Sequence, residues 1–264
     1  MVNTLEFTVA DGVATLTFNR PAQRNAIDLV MRGELAQCFA NVQKDRTIRA
    51  LVLTGAGGAF CAGGDLRSMQ SSGNDGAGWR ARMQDAHQWV GALIELDRPV
   101  IAAVDGPAYG AGFSLVLAAD FVIATPAARF CMPFLKLGLV PDFGALHTLP
   151  RVVGMQRAKE LMLSAREVAA DEALRLGIVG EIVPADRLPA RAQALAASFT
   201  GASPLAISLM KRALAAEPAN LAATLEFEAD AQALCFTSAQ HREAVARFLD
   251  KQPAAFVWPT GEQS

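Results

Sequence analysis

Two glycine-rich turns constrain this chain more than any other feature, because each follows a short, wholly apolar segment. Ala50-Leu51-Val52-Leu53-Thr54 runs into Gly55-Ala56-Gly57-Gly58-Ala59-Phe60-Cys61-Ala62-Gly63-Gly64-Asp65-Leu66. Val100–Val104 runs into Asp105-Gly106-Pro107-Ala108-Tyr109-Gly110-Ala111-Gly112-Phe113 and then an apolar helical stretch, 113–119. A strand that is apolar on both faces is covered on both faces, as in a parallel sheet flanked by helices. Glycine is required where backbone takes positive φ or approaches a ligand closely. The first N–H groups of a helix have no intrahelical acceptor and carry the positive end of the dipole. Two such turns side by side can hold one oxyanion between two N–H donors. Taken singly, each turn reads equally well as ordinary punctuation in an α/β protein.

The remaining pattern fits that class. Leu5, Phe7 and Val9 alternate before Asp11-Gly12, and Val13–Phe18 follows, which predicts a β-hairpin. Asp28 is placed to cap a helix carrying Met31, Leu35, Cys38 and Val42 at helical spacing. Ser71–Gly78 is polar and predicts a loop or a frayed helix start, with a helix over about 80–95. Phe121–Ala124 predicts a third buried strand. Strand and helix alternating at this rhythm predict a largely parallel sheet. Beyond about residue 185 the strand signal ends, and Leu188–Phe199, Pro204–Ala216, Leu221–Cys235 and Ser238–Leu249 predict helices. The expected organisation is a core over 1–200 and a helical C-terminal region over 201–264.

Several function classes fail on spacing. Phe60 and Leu115 stand where G-x-G-x-x-G needs its third glycine, so neither turn is a dinucleotide fingerprint. Neither carries the Gly-Lys-Ser/Thr of a P-loop. Ser114 lies in Gly112-Phe113-Ser114-Leu115-Val116, not in the G-x-S-x-G of a hydrolase elbow. His87, His147 and His241 lack ligand spacing, so no metal is expected. A formal net charge of −2 gives no footprint for nucleic acid. The longest apolar stretches are interrupted by Asp105 and Asp120, short of the roughly 18–20 residues that span a bilayer. The N-terminus has no basic, apolar signal-peptide pattern. The cysteines Cys38, Cys61, Cys131 and Cys235 are scattered singly, which fits reduced thiols and a cytoplasmic location.

Taken together, these segments resemble the enoyl-CoA hydratase/isomerase (crotonase) superfamily, and its isomerase-type members most. The matching stretches are Asn19–Ala26, Thr54–Leu66, Ala103–Asp120, Leu137–Asp142, Leu149–Gly154, Ala173–Val179 and Ser203–Ala206, in family order over most of the chain. The resemblance implies a spiral of ββα units with C-terminal helices that pack homotrimers or hexamers (dimers of trimers). It implies an acyl-CoA substrate and no other cofactor. It assigns the enolate donors to the backbone N–H groups of Gly64 and Ala111. It places Arg24 to Ala26 and Ala62, Gly63, Gly64, Asp65 and Leu66 along the CoA arm. Arg24 is expected either to meet a phosphate or to be a solvated surface charge, and Asp65 to cap the turn. Tyr109, Gly110, Ser114 and Phe134 fall around the acyl group.

An oxyanion hole makes the thioester α-proton removable but does not select the reaction, which depends on acid/base groups near C2 to C4. Family hydratases use two glutamates, and the corresponding positions here hold Ser114 and Phe134. Asp142, in Gly138-Leu139-Val140-Pro141-Asp142-Phe143-Gly144, matches the place where several family isomerases carry a carboxylate. Its apolar neighbours are expected to desolvate it and raise its pKa. One carboxylate suffices to move a proton from C2 to C4. The expected activity is therefore enoyl-CoA double-bond isomerisation, or a related rearrangement, by Asp142. The alternatives are a hydratase or lyase-type activity and a non-catalytic acyl-CoA-binding subunit. Lys211-Arg212, Phe248, Lys251 and Phe256 are expected by analogy to reach a neighbouring subunit's CoA.

Overall fold

The computed structural model describes residues 4–70, 73–216 and 220–260. Strands β1 (Leu5–Ala10) and β2 (Val13–Phe18) pair antiparallel. Asp11 and Gly12 join them, both at positive φ (49° and 79°), as the twist of a two-residue hairpin requires. A 3₁₀ turn at Pro21–Gln23 ends the second strand. Asp28 then caps α1 (Leu29–Lys44), its carboxylate accepting the Met31 N–H at 2.8 Å. Next come β3 (Ala50–Gly55), α2 (Leu66–Gln70) and α3 (Gly76–Ile94). The loop expected over Ser71–Gly78 is shortened, because Asp75 caps α3 by accepting the Gly78 N–H. Ser71 and Ser72 lie outside the described residues.

After β4 (Val100–Val104) the chain forms β5 (Pro107–Tyr109), α4 (Ala111–Leu117), β6 (Phe121–Ala124) and β7 (Arg129–Cys131). A 3₁₀ turn at Pro133–Leu137 leads to α5 (Ala145–Ser164). Then follow β8 (Glu167–Ala169), α6 (Ala170–Arg175), β9 (Glu181–Ile182) and four helices in the last quarter. These are α7 (Leu188–Ser198), α8 (Pro204–Ala215), α9 (Leu221–Phe236) and α10 (Ala239–Leu249), close to the predicted spans.

One sheet has the order β1-β2-β3-β4-β6-β9, parallel from β2 onward. A smaller sheet, β5-β7-β8, stands beside it. The second sheet corrects the expectation that Asp105–Gly112 is all turn and that the helix begins at 113. Strand β5 lies inside that segment and α4 starts at Ala111. Three-residue strands are too short to show a period-2 signal.

The central parallel strands are largely apolar because both faces are covered. Val13, Val52, Ile101 and Ile123 pack against Leu188, Ala192, Leu195 and Phe199 around α7. Leu16, Leu51, Leu53, Val100 and Ala102 belong to the larger core with α1, α3 and α4. Helices α9 and α10 bury no residue against the rest of the chain. Among the described residues no helix is long and apolar enough to cross a membrane.

Candidate active site

The two glycine-rich turns meet edge to edge. The Phe60 and Cys61 N–H groups donate to the Pro107 carbonyl at 3.0 and 3.1 Å, and the Tyr109 N–H returns to the Cys61 carbonyl at 2.9 Å. Cys61 and Ala108 form a parallel bridge. Gly63 has φ +96°, and a Cβ there would stand 2.8 Å from the Tyr109 oxygen and 3.5 Å from the Ala111 nitrogen. Closer still, a Cβ at Gly112 would fall on the Cys61 carbonyl oxygen. Glycine is therefore obligatory where one turn passes the other.

Two amides remain at this junction. Ala111 is the first residue of α4, ahead of the helical hydrogen-bond ladder. Its N–H and that of Gly64 have no acceptor among the described residues. Gly110, at φ 53° and ψ −122°, orients the helix start, and its own N–H donates to the Cys131 carbonyl. Gly64 bridges Ile27, and the neighbouring Gly63 carbonyl accepts the Ile27 N–H at 2.7 Å. The Met69 methyl lies over the Gly64 Cα, on the face where a Cβ would project.

The segment before α1 clamps the first turn. Arg20 pairs with Asp65 at 3.1 Å and Asp28 at 3.2 Å, and also donates to the Ala26 carbonyl. Asn25 is fully buried, donates to the Ala56 and Ala59 carbonyls at 2.9 and 2.7 Å, and accepts the Arg20 N–H. The Ala62 N–H donates to the Arg24 carbonyl at 2.9 Å. Asp65 caps α2 by accepting the Arg67 and Ser68 N–H groups, each at 3.1 Å. These hydrogen bonds and Arg20 outweigh desolvation and hold its carboxyl below the usual range. Sequence reasoning placed Asp65 as a cap but passed over Arg20 and Asn25. Both lie in the first matching stretch, and only their partners identify the role. The Arg24 side chain is exposed, and Leu66 is exposed at the start of α2.

On α4, Ser114 is buried and its hydroxyl donates to the Gly110 carbonyl at 3.1 Å, one turn back. The Phe134 ring is buried, 3.6 Å from where a Gly110 Cβ would stand. Neither can hold an ionisable proton. Tyr109 donates to Glu167, and burial with that neighbour pushes its pKa up to about 12. Cys61 is buried and its thiol is likewise pushed up to about 12, so it is no thiolate nucleophile. Phe113 and Phe143 are core residues, packed on Phe130 and Trp89. His147 is exposed on α5.

Asp142 stands in the connection from the 3₁₀ turn to α5. Its Oδ1 is buried without a hydrogen-bond partner. Desolvation raises its pKa to about 6, against the opposing pull of Arg32.

Two of the C-terminal residues make contacts within their own chain. Lys211 binds Asp120 and the Arg98 carbonyl of its own chain, at 2.5 and 3.0 Å. Phe256 stacks on Phe199, with ring centroids 5.6 Å apart. Both are held within the subunit.

A ββα spiral whose paired turns present two acceptor-free backbone N–H groups defines the chain as an α/β protein of crotonase-like fold. The chain belongs to the enoyl-CoA hydratase/isomerase family, whose model matches residues 8–258. It is 40% identical to the 1,2-epoxyphenylacetyl-CoA isomerase of Escherichia coli K12, over 94% of this chain and 96% of that protein. It is 37% identical to a probable enoyl-CoA hydratase of Rhodobacter capsulatus, over 97% and 98%. The crystal structure of an enoyl-CoA hydratase/isomerase from Cupriavidus metallidurans CH34 superposes with a TM-score of 0.92 at 43% identity, covering 99% of both chains.

Proposed function

We propose that this enzyme shifts the double bond of an enoyl-CoA, with Asp142 as the single proton carrier. The observation that carries the reading is a desolvated carboxylate at residue 142 with Ser114 and Phe134 at the two usual glutamate positions. The ionised Asp142 removes a proton from C2 of a 3-enoyl-CoA. The electron pair moves into the thioester, and the dienolate oxygen is held by the Gly64 and Ala111 N–H groups. Each such donor contributes about 10²–10³ in rate. The protonated Asp142 then returns the proton to C4, leaving a 2-enoyl-CoA. No water is consumed, so a second acid is not required. Arg24 is assigned to a CoA phosphate, and Ala26, Ala62 and Leu66 to the CoA arm. No resident metal or cofactor enters this scheme, and the cytoplasm is the proposed location. Exposed Met210, Leu214, Leu225 and Phe248 on α8 to α10 support assembly as a trimer or a dimer of trimers.

The hydratase names of several relatives favour a second reading, 2-enoyl-CoA hydration. Assay of the purified enzyme with 3-enoyl-CoA and 2-enoyl-CoA separates the two. Isomerase turnover should dominate, and hydratase turnover far above it would overturn the proposal. Binding of acyl-CoA without either turnover would mark a non-catalytic subunit.

A further inference from the structure

Ser114 is the only polar side chain of α4, where it follows Ala-Gly-Phe and precedes Leu-Val-Leu. It is fully buried, and its hydroxyl has one hydrogen-bond partner among the described residues, the Gly110 carbonyl. Burying a hydroxyl opposes folding unless it is bonded. Alanine at the same place would form the helix at least as well. Serines that bond back to the preceding turn are common in helices. What sets this one apart is the peptide it meets.

The Gly110 carbonyl and the Ala111 N–H are the two ends of one peptide unit. Its oxygen accepts twice, from the Ser114 N–H at 3.0 Å and from the Ser114 hydroxyl at 3.1 Å. Its N–H has no acceptor among the described residues. The preceding peptide is anchored as well, because the Gly110 N–H donates to the Cys131 carbonyl at 2.9 Å. Resonance couples the ends of a peptide, so electron density drawn to the oxygen leaves the N–H more positive. A first-turn amide already carries the positive end of the helix dipole. The hydroxyl adds to that, since each bond in a hydrogen-bonded chain strengthens the next by about 10–30%.

We propose that Ser114 is a positioning residue that holds and polarises the Gly110–Ala111 peptide, making the Ala111 N–H a stronger donor to the enolate oxygen. The inference rests on the Ala111 amide meeting the thioester oxygen, and does not depend on Asp142. About 10–30% of a donor that contributes about 10²–10³ in rate amounts to about two- to eightfold. The gain grows with the charge on the acceptor. It therefore favours the enolate over the bound thioester, and kcat over binding.

Ser114→Ala removes the hydroxyl and keeps the backbone hydrogen bond, so the variant should fold. Its kcat for 3-enoyl-CoA should fall about two- to eightfold, with hexanoyl-CoA affinity within about twofold of wild type. Infrared difference spectra of bound hexanoyl-CoA, isotope-labelled at its carbonyl carbon, read the donor without turnover. Hydrogen bonds to a carbonyl lower its stretching frequency. The stretch should lie below its solution value in the wild-type enzyme and move part of the way back in Ser114→Ala. Repeating the substitution in an Ala111→Pro background, where that N–H is absent, should change neither kcat nor the stretch. An equal effect in both backgrounds marks a packing role and overturns the inference alone. So does a Ser114→Ala variant with wild-type kcat and stretch. If the wild-type enzyme leaves the stretch at its solution value, the amides do not meet the thioester oxygen, and the enolate reading fails with it.

Discussion

Replacing Asp142 with asparagine keeps the size of the side chain and removes its proton chemistry. A positioned general base contributes about 10²–10⁴ in rate, and in the proposed scheme one group serves two proton transfers. The kcat for 3-enoyl-CoA isomerisation should fall about 10³-fold or more, with the affinity for a saturated acyl-CoA retained. In the wild-type enzyme kcat/KM should rise tenfold per pH unit up to about 6, the Asp142 pKa, and level off above it. The same shift has a signature in stability. The folded pKa of about 6 lies above the ordinary value of 3.8, so the native carboxyl holds its proton more tightly than the unfolded chain does. Its contribution to stability is fully present below about 3.8 and lost as pH rises through about 6. The whole shift corresponds to about 3 kcal/mol. Urea titrations at pH 4.5 and 7 span about 2 kcal/mol of it. Asp142→Asn should therefore gain about 2 kcal/mol on the wild-type protein over that interval. A variant with isomerase activity within tenfold of wild type would refute the catalytic assignment. A wild-type-minus-variant difference that does not change with pH would refute the desolvation argument.

Four further outcomes are expected. Ala111→Pro removes one N–H at the first position of α4, where helices tolerate proline, so the protein should fold with kcat/KM down about 10²–10³-fold; near-normal activity would dismiss Ala111 as a donor. Arg20→Lys cannot span both Asp28 and Asp65, and urea denaturation should show a loss of about 3 kcal/mol; a loss under about 0.5 kcal/mol would mean the clamp is not what holds the first turn. Gly112→Ala should cost about 3 kcal/mol or prevent folding, because its Cβ meets the Cys61 backbone. Gly64→Ala displaces only the Met69 methyl and should remain folded, as circular dichroism would show.

The large sheet was legible because burial on both faces leaves unbroken apolar runs at Ala50–Thr54, Val100–Val104 and Phe121–Ala124. The β5-β7-β8 sheet was not, since its strands are three residues each and lie in segments whose glycines signal turns. In the candidate site, Gly64 and Ala111 were assigned by their place in a known pattern. Their physical distinction, N–H groups without acceptors, depends on how two segments about 45 residues apart abut, which no local window contains. Arg20 and Asn25 read as surface polar residues until their partners across the first turn are known.

The amides at residues 64 and 111 belong to the main chain, and this shapes how the protein can change over time. Ordinary substitutions alter the bulk around those groups but leave the amides themselves in place. A deep mutational scan would register these positions mainly as limits on volume, with proline the one substitution that removes the N–H. Side chains such as Ser114, Phe134 and Asp142 can vary around donors that point mutation rarely deletes. On the role proposed for these amides, a lineage of such proteins is free to exchange one enolate reaction for another without first losing the means to hold the enolate.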